Sequence, residues 1–133
     1  MSRRRDERGL SLSVWTAVAM PAFIVAVGLG VDFSGHAAAE QEAREVAAQA
    51  ARAAAHQVVL TADGPKLDVA AGKSAAHSYA AAAGYTAEVH LTEATGARVT
   101  VHGTYDTLFL GIIGVHSMQA EGEGVARGVS VTE

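Results

Sequence analysis

The chain has 133 residues with a formal net charge of −4; half of it is hydrophobic, yet only 5% is aromatic and 18% charged. Alanine supplies 29 residues and glycine 14, so any core is built from small side chains, each contributing far less than the ~1.5–3 kcal/mol of a buried Leu or Phe. Cysteine is absent, which excludes disulfides, Cys-based zinc sites and thiol nucleophiles, and the acidic body excludes a phosphate-binding nucleic-acid surface.

The charge is unevenly placed. Residues 1–8 carry Arg3, Arg4, Arg5 and Arg8 against Asp6 and Glu7, a basic leader. From Gly9 to Val31 no residue is charged. As a helix this stretch is about 34 Å long at ~1.5 Å per residue, enough for ~30 Å of bilayer hydrocarbon. Trp15 lies near its basic end, where an amphipathic ring suits the headgroup region, and Pro21 falls mid-span, as lipid-embedded helices tolerate. Arg8, Trp15 and Asp32 therefore mark the membrane boundaries. The arginines place the N-terminus in the cytoplasm and residues 32–133 outside it, in a single-pass plasma-membrane topology. The run exceeds the ~7–15 apolar residues of a secretory h-region, which favours an anchor over a cleaved signal.

Residues 37–60 contain neither Pro nor Gly and are rich in Ala, the best helix former. Gln41, Glu45, Gln49, Arg52 and His56 form one polar stripe. Ala43, Ala47, Ala50, Ala54 and Val58 form a second stripe, small enough for a partner backbone to come close and a candidate face for self-association. The expectation is one nearly continuous helix from about Leu10 to Leu60, with Gly28, Gly30 and Gly35 as a hinge where it leaves lipid.

Asp63-Gly64-Pro65 breaks the chain, and a second helix fits 66–83, with Gly84 ending it and Gly72 as a weak point. Alternation of apolar and polar residues then predicts strands over 87–92 and 97–102, joined at Ala94-Thr95-Gly96. A third strand fits Ser117–Arg127, although Gly122 and Gly124 weaken it. Between the last two lies an apolar loop with Leu108, Phe109, Leu110, Ile112 and Ile113, too short to span; it reads either as a core-packing loop or as a contact tip for membrane or a neighbouring subunit. The fold class is α+β: a transmembrane helix (9–31) and its extension (32–60), a second helix (66–83), and a small antiparallel sheet of about three strands within a β-rich part (87–127).

Catalytic constellations are not found. His90 and His102 fall in the outward phase of adjacent strands, where they could face each other, but a structural zinc site needs four ligands, so solvent-exposed strand histidines are the simpler reading. Glu121 and Glu123 read as a solvated strand face, and no GxSxG, P-loop or GxGxxG occurs. Neither a cofactor nor an enzymatic activity is expected.

The stretch Glu7-Arg8-Gly9-Leu10, the apolar span around Pro21, Val31-Asp32 and the Ala/Gln-rich helix through Ala55 resemble the TadE/TadG-like proteins of tight-adherence (Flp-type) pilus systems. The resemblance implies a bitopic, pilin-like protein that acts as a minor pilin or assembly component, with pilin subunits, a secretion ATPase and inner-membrane platform proteins as partners. In processed members of the family a prepilin peptidase cuts ahead of the span, which here would fall between Gly9 and Leu10. The family's glutamate five residues on is replaced by Val14, and members lacking it are expected to stay uncleaved. A membrane-tethered binding module that never enters a filament is the alternative.

Overall fold

The computed structural model of the chain describes residues 6–92 and 96–128. One α-helix, α1 (Asp6–Ala55, 50 residues), makes up its whole N-terminal part. At ~1.5 Å per residue it is about 75 Å long. A two-stranded hairpin follows, β1 (Val58–Thr61) and β2 (Gly64–Leu67), then α2 (Val69–Ala82). A three-stranded antiparallel sheet ends the described chain: β3 (Thr86–Thr92), β4 (Gly96–Asp106) and β5 (Ser117–Arg127), in that spatial order. A short 3₁₀ turn, Leu110–Ile113, lies in the β4–β5 connection. The architecture is α+β, as expected.

The two ends of α1 live in opposite surroundings. Its first part is long and apolar enough to cross a membrane, and almost none of it is buried within the molecule. Trp15, Phe23 and Ile24 are 74%, 70% and 60% exposed. Ala43, Ala47, Ala50, Ala51 and Ala54, by contrast, are fully buried. That second part lies on β4 and β5, while α2 packs beside it and on β3. The helix is not interrupted at Pro21 or at the glycines; the hinge expected at Gly28, Gly30 and Gly35 is absent, since all three lie inside α1.

The sheet alternates as its sequence does. Ala97, Val99 and Val101 of β4 are fully buried under the helices, whereas Arg98 between them is exposed. On β5, Ala120, Gly122 and Gly124 face inward, and Glu121, Glu123 and Val125 outward. The glycines do not weaken this strand. A Cβ on Gly122 would overlap the backbone of Ala43 and Arg44, and one on Gly124 the backbone of Ala47 and Ala48. Missing side chains thus let helix and strand meet backbone to backbone. Gly72 plays the same part between α2 and α1: a Cβ there would sit 3.3 Å from the Ala54 carbonyl oxygen. The expected weak point is a packing contact.

Several boundaries differ from expectation: α1 is already helical at Asp6, and β4 continues past 102 to Asp106. α1 ends at Ala55, so Val58 opens a strand and does not extend the alanine face. Val58, Val59 and Thr61 are β-branched, a preference for extended chain that outweighs the helical spacing. Gly64, at φ +111°, closes the hairpin, with Thr61 Oγ1 donating to its carbonyl at 2.7 Å. α2 starts at Val69, three residues later than expected, because Asp68 caps it by accepting from the Ala71 N–H at 2.9 Å. Gly84, at φ +84°, follows its end. Of the turn expected at Ala94-Thr95-Gly96, residues 94 and 95 lie outside the described residues, as do Arg3, Arg4 and Arg5 of the leader; Gly96 opens β4.

Candidate functional site

The feature that sets this fold apart is a junction between α1 and the β4–β5 connection at the end of the apolar stretch. Residues 28, 32, 35, 39, 43, 47, 50 and 54 recur at steps of four and three, which places them on one face of a helix. Further along the chain this face is the alanine seam under β5. Nearer the span it carries Gly28, Asp32 and Gly35, and each receives a different part of the sheet.

Asp32 is the one buried charged residue described, at 0% exposure. Its carboxylate accepts three consecutive backbone N–H groups: Leu108 at 2.7 Å and Phe109 at 2.9 Å, with Leu110 at 2.6 Å. These are the donors that open the Leu110–Ile113 turn, which would otherwise lack partners. Burial pushes the Asp32 pKa up, but the hydrogen bonds from Leu110, Leu108 and Phe109 outweigh it and hold the group below the ordinary carboxylate range. The carboxylate is held by the chain's own backbone and serves as a clasp. Read from sequence as a boundary residue, Asp32 instead binds a loop more than 70 residues away.

Aromatic side chains flank the clasp. The Phe109 ring lies where a Cβ on Gly28 would be, 2.6 Å from Cγ. Tyr105 occupies the corresponding space at Gly35. Next to Gly35, His36 Nε2–H donates to the Gln119 carbonyl at 2.7 Å, and its ring meets Tyr105 edge-on at 6.4 Å. Glu40 lies 3.9 Å from His36 and 3.7 Å from Arg44 along the exposed helix surface.

Leu108, Phe109, Leu110, Ile112 and Ile113 thus sit beside the apolar part of α1. Phe109, Leu110, Ile112 and Ile113 line, with Ile24, Val25 and Leu29, a shallow apolar groove of about 90 Å³. That is far below the roughly 300 Å³ of a small-molecule pocket. Leu108, Ile112 and Ile113 remain 68%, 82% and 74% exposed.

The remaining sequence candidates are placed as follows. Arg8, Gly9 and Leu10 fall in the first turns of α1, and Trp15 one turn later. Ala43, Ala47, Ala50 and Ala54 are covered by this chain's own sheet and second helix, which takes the face away from self-association. His90 pairs in register with Arg98, whereas His102 pairs with Thr86 and Glu121. The two histidines are therefore four register positions apart, roughly 13 Å at ~3.3 Å per residue, and do not face each other. His102 Nδ1 lies 3.5 Å from Glu121, and Arg98 pairs with Glu123. Among the described residues, no three His, Asp or Glu side chains group as metal ligands.

Comparison with known proteins gives one positive result. Residues 10–57 match the family model for Flp pilus-assembly TadE/G-like proteins, just over a third of the chain. The match covers α1 nearly whole and ends before β1, the same stretch that carries the resemblance in the sequence. No curated protein and no solved structure matches the chain.

Proposed function

We propose that this protein is a membrane-anchored component of a tight-adherence pilus system, a minor pilin or an assembly factor, and that its work is structural. The observation that carries the reading is the division of α1: an apolar, exposed first part continuing without a break into a part buried under a sheet. A helix surface of Trp, Phe, Ile and Val that the described residues leave largely exposed is suited to lipid. The matched family supports the pilus assignment over the same helix.

In this reading the first part of α1 crosses the plasma membrane with its arginine-rich end in the cytoplasm. The α+β head stands outside, held in line with the span because both belong to one rigid helix. Contacts with pilin or platform subunits use the faces of α1 left free, the span itself and the exposed stripe of Gln41, Glu45, Gln49 and Arg52, with His56 just past the helix end. The leader stays attached, since Val14 replaces the family's glutamate; an intact mass lacking residues 1–9 would refute this.

The test is deletion of the gene in its native host, with surface filaments counted by electron microscopy. Loss of filaments, restored by the wild-type copy, is expected. Normal filament numbers without the protein would refute the reading, and favour the tethered binding module.

A further inference from the structure

The β4–β5 connection has a property that head-to-span docking alone does not require. Thr107 to Val115 reads TLFLGIIGV, nine residues without a charge. None of the four residues of its 3₁₀ turn is buried, and Ile112 and Ile113 project from it. Seven of its nine backbone N–H groups, however, have partners within the chain. Asp32 takes the N–H groups of Leu108, Phe109 and Leu110. The Ile112 N–H donates to the Phe109 carbonyl, Gly114 to Gly111, Val115 to Leu110 and Thr107 to His116. Thr107 Oγ1 donates to the Val115 carbonyl. Apolar side chains outside and paired backbone groups inside are what a segment needs to enter hydrocarbon.

Its position gives the depth. Phe109 rests on Gly28, and the groove it shares with α1 reaches down to Val25 and Ile24. Ile24 is seven residues before Val31, the last residue of the uncharged run, which is about 10 Å at ~1.5 Å per residue. Whatever surrounds α1 at Ile24 to Leu29 also surrounds the loop that lies against it.

We infer that residues 107–115 form a second membrane-inserted element, a wedge that dips into the outer leaflet beside the span and takes lipid acyl chains as its partner. This rests on the reading of α1 as a membrane anchor. The wedge gives the head two attachments to the bilayer, so the head cannot rotate freely about the axis of α1. Asp32 is the positioning residue: it holds the loop against the helix and neutralises backbone dipoles that lipid would not solvate.

The absence of cysteine makes the test direct. Single cysteines are introduced in the full-length chain at Ile112→Cys, at Val25→Cys in the span and at Glu88→Cys on the outer sheet face. Each is labelled with an environment-sensitive fluorophore and reconstituted in vesicles of phosphatidylethanolamine and phosphatidylglycerol. The probe at 112 is expected to emit blue-shifted light, to be quenched by doxyl-labelled lipid as the probe at 25 is, and to resist iodide. The probe at 88 is expected to behave in the opposite way. Adding Asp32→Asn is expected to raise iodide access at 112 several-fold while the probe at 25 stays quenched by lipid. A probe at 112 that is open to iodide, with 25 still lipid-quenched, would overturn the wedge and leave the anchor standing. Protection at 112 from both quenchers would overturn it in favour of a protein neighbour. A probe at 25 that lipid does not quench would overturn the anchor and the wedge together.

Discussion

Gly124→Ala adds a single methyl group to an inward position of β5, and the structure assigns it a large cost. The new Cβ would lie roughly 1 Å inside ordinary van der Waals contact with the backbone of Ala47 and Ala48. Neither neighbour has a side chain that can turn aside, so the relief must come from moving α1 away from the sheet. A gap of ~0.5–1 Å already forfeits a quarter to a half of each contact's attraction, and the core around the contact is mostly alanine, with little else to offset it. Overpacking of this kind costs about 1–3 kcal/mol, and rigid backbone on both sides puts Gly124→Ala near the upper end. The roughly 100 residues beyond the span would have about 5–15 kcal/mol of total stability at ~0.05–0.15 kcal/mol per residue. Urea unfolding of the full-length chain in detergent micelles, followed by circular dichroism, should show the midpoint fall by about 1–3 M at an m-value of ~1–3 kcal/mol per M. Gly122→Ala meets the Ala43–Arg44 backbone and should behave alike. Because one displacement of α1 relieves both clashes, the double variant should lose clearly less than the sum of the two. Gly30→Ala is the internal contrast, since nothing lies within 4 Å of its Cβ; it should be neutral or stabilising by up to ~1 kcal/mol. A Gly124→Ala protein that unfolds at the wild-type urea concentration would refute the backbone-to-backbone contact.

Three further outcomes follow from the junction and its surroundings. Asp32 has a folded pKa below its unfolded value of about 3.9, so its hold on the loop is complete above that pH and is lost as pH falls through the lower folded value. Amide exchange at Leu108, Phe109 and Leu110, corrected for intrinsic rates, should stay slow into mild acid and quicken only below it, whereas Asp32→Asn should quicken it at neutral pH; pH-independent protection in the wild type would count against the clasp. Gly35→Ala drives a Cβ into the far end of Tyr105, a side chain that can turn aside, and should destabilise by about 1 kcal/mol, the low end for overpacking, with Tyr105→Ala in the same chain recovering part of the loss in urea titration. The Tyr85 phenol is pushed above the ordinary tyrosine range first by burial and then by the Glu42 carboxylate, so Glu42→Gln should bring its ultraviolet titration only part of the way back.

Much of this architecture can be read from spacing alone, because it depends on near neighbours. The uncharged run before Asp32, the helix through Ala55 and the alternation over 87–92 and 97–102 are local patterns, and β3 and β4 lie on them, β4 running on to Asp106. The misreadings are of two physical kinds. Val58 kept the alanine spacing, but a β-branched run before a positive-φ glycine favours a strand, so spacing was the weaker signal there. Gly72, Gly122 and Gly124 read as defects, since an isolated glycine lowers helix and strand propensity; their value lies in a partner backbone that is distant in sequence. The role of Asp32 was out of reach for the same reason, as its partners come 76–78 residues later. One clue did exist. The alanine seam, carried back from Ala43 by steps of four, four and three, passes through Ala39, Gly35 and Asp32, a charged residue on a face otherwise made for packing.

That seam also explains how so small and alanine-rich a core can hold a head in line with an apolar segment long enough to cross a membrane. Large side chains stabilise by area and tolerate adjustment; a core of alanine and glycine stabilises by close approach and tolerates almost none. The helix is therefore seated on the sheet at closely defined points: Gly122 and Gly124 at one end, Gly35 under Tyr105 in the middle, and Gly28 under Phe109 beside the Asp32 clasp at the other. These points lie on one face of a helix that has no break, so a displacement or rotation applied to the head is passed to the apolar part of α1 without a hinge to absorb it. A subunit that must be drawn through, or assembled at, a bilayer is served by that rigidity. A tether whose only task was to keep a binding domain near the membrane could tolerate a hinge between head and span, and the unbroken helix is the physical ground on which we propose an assembly role.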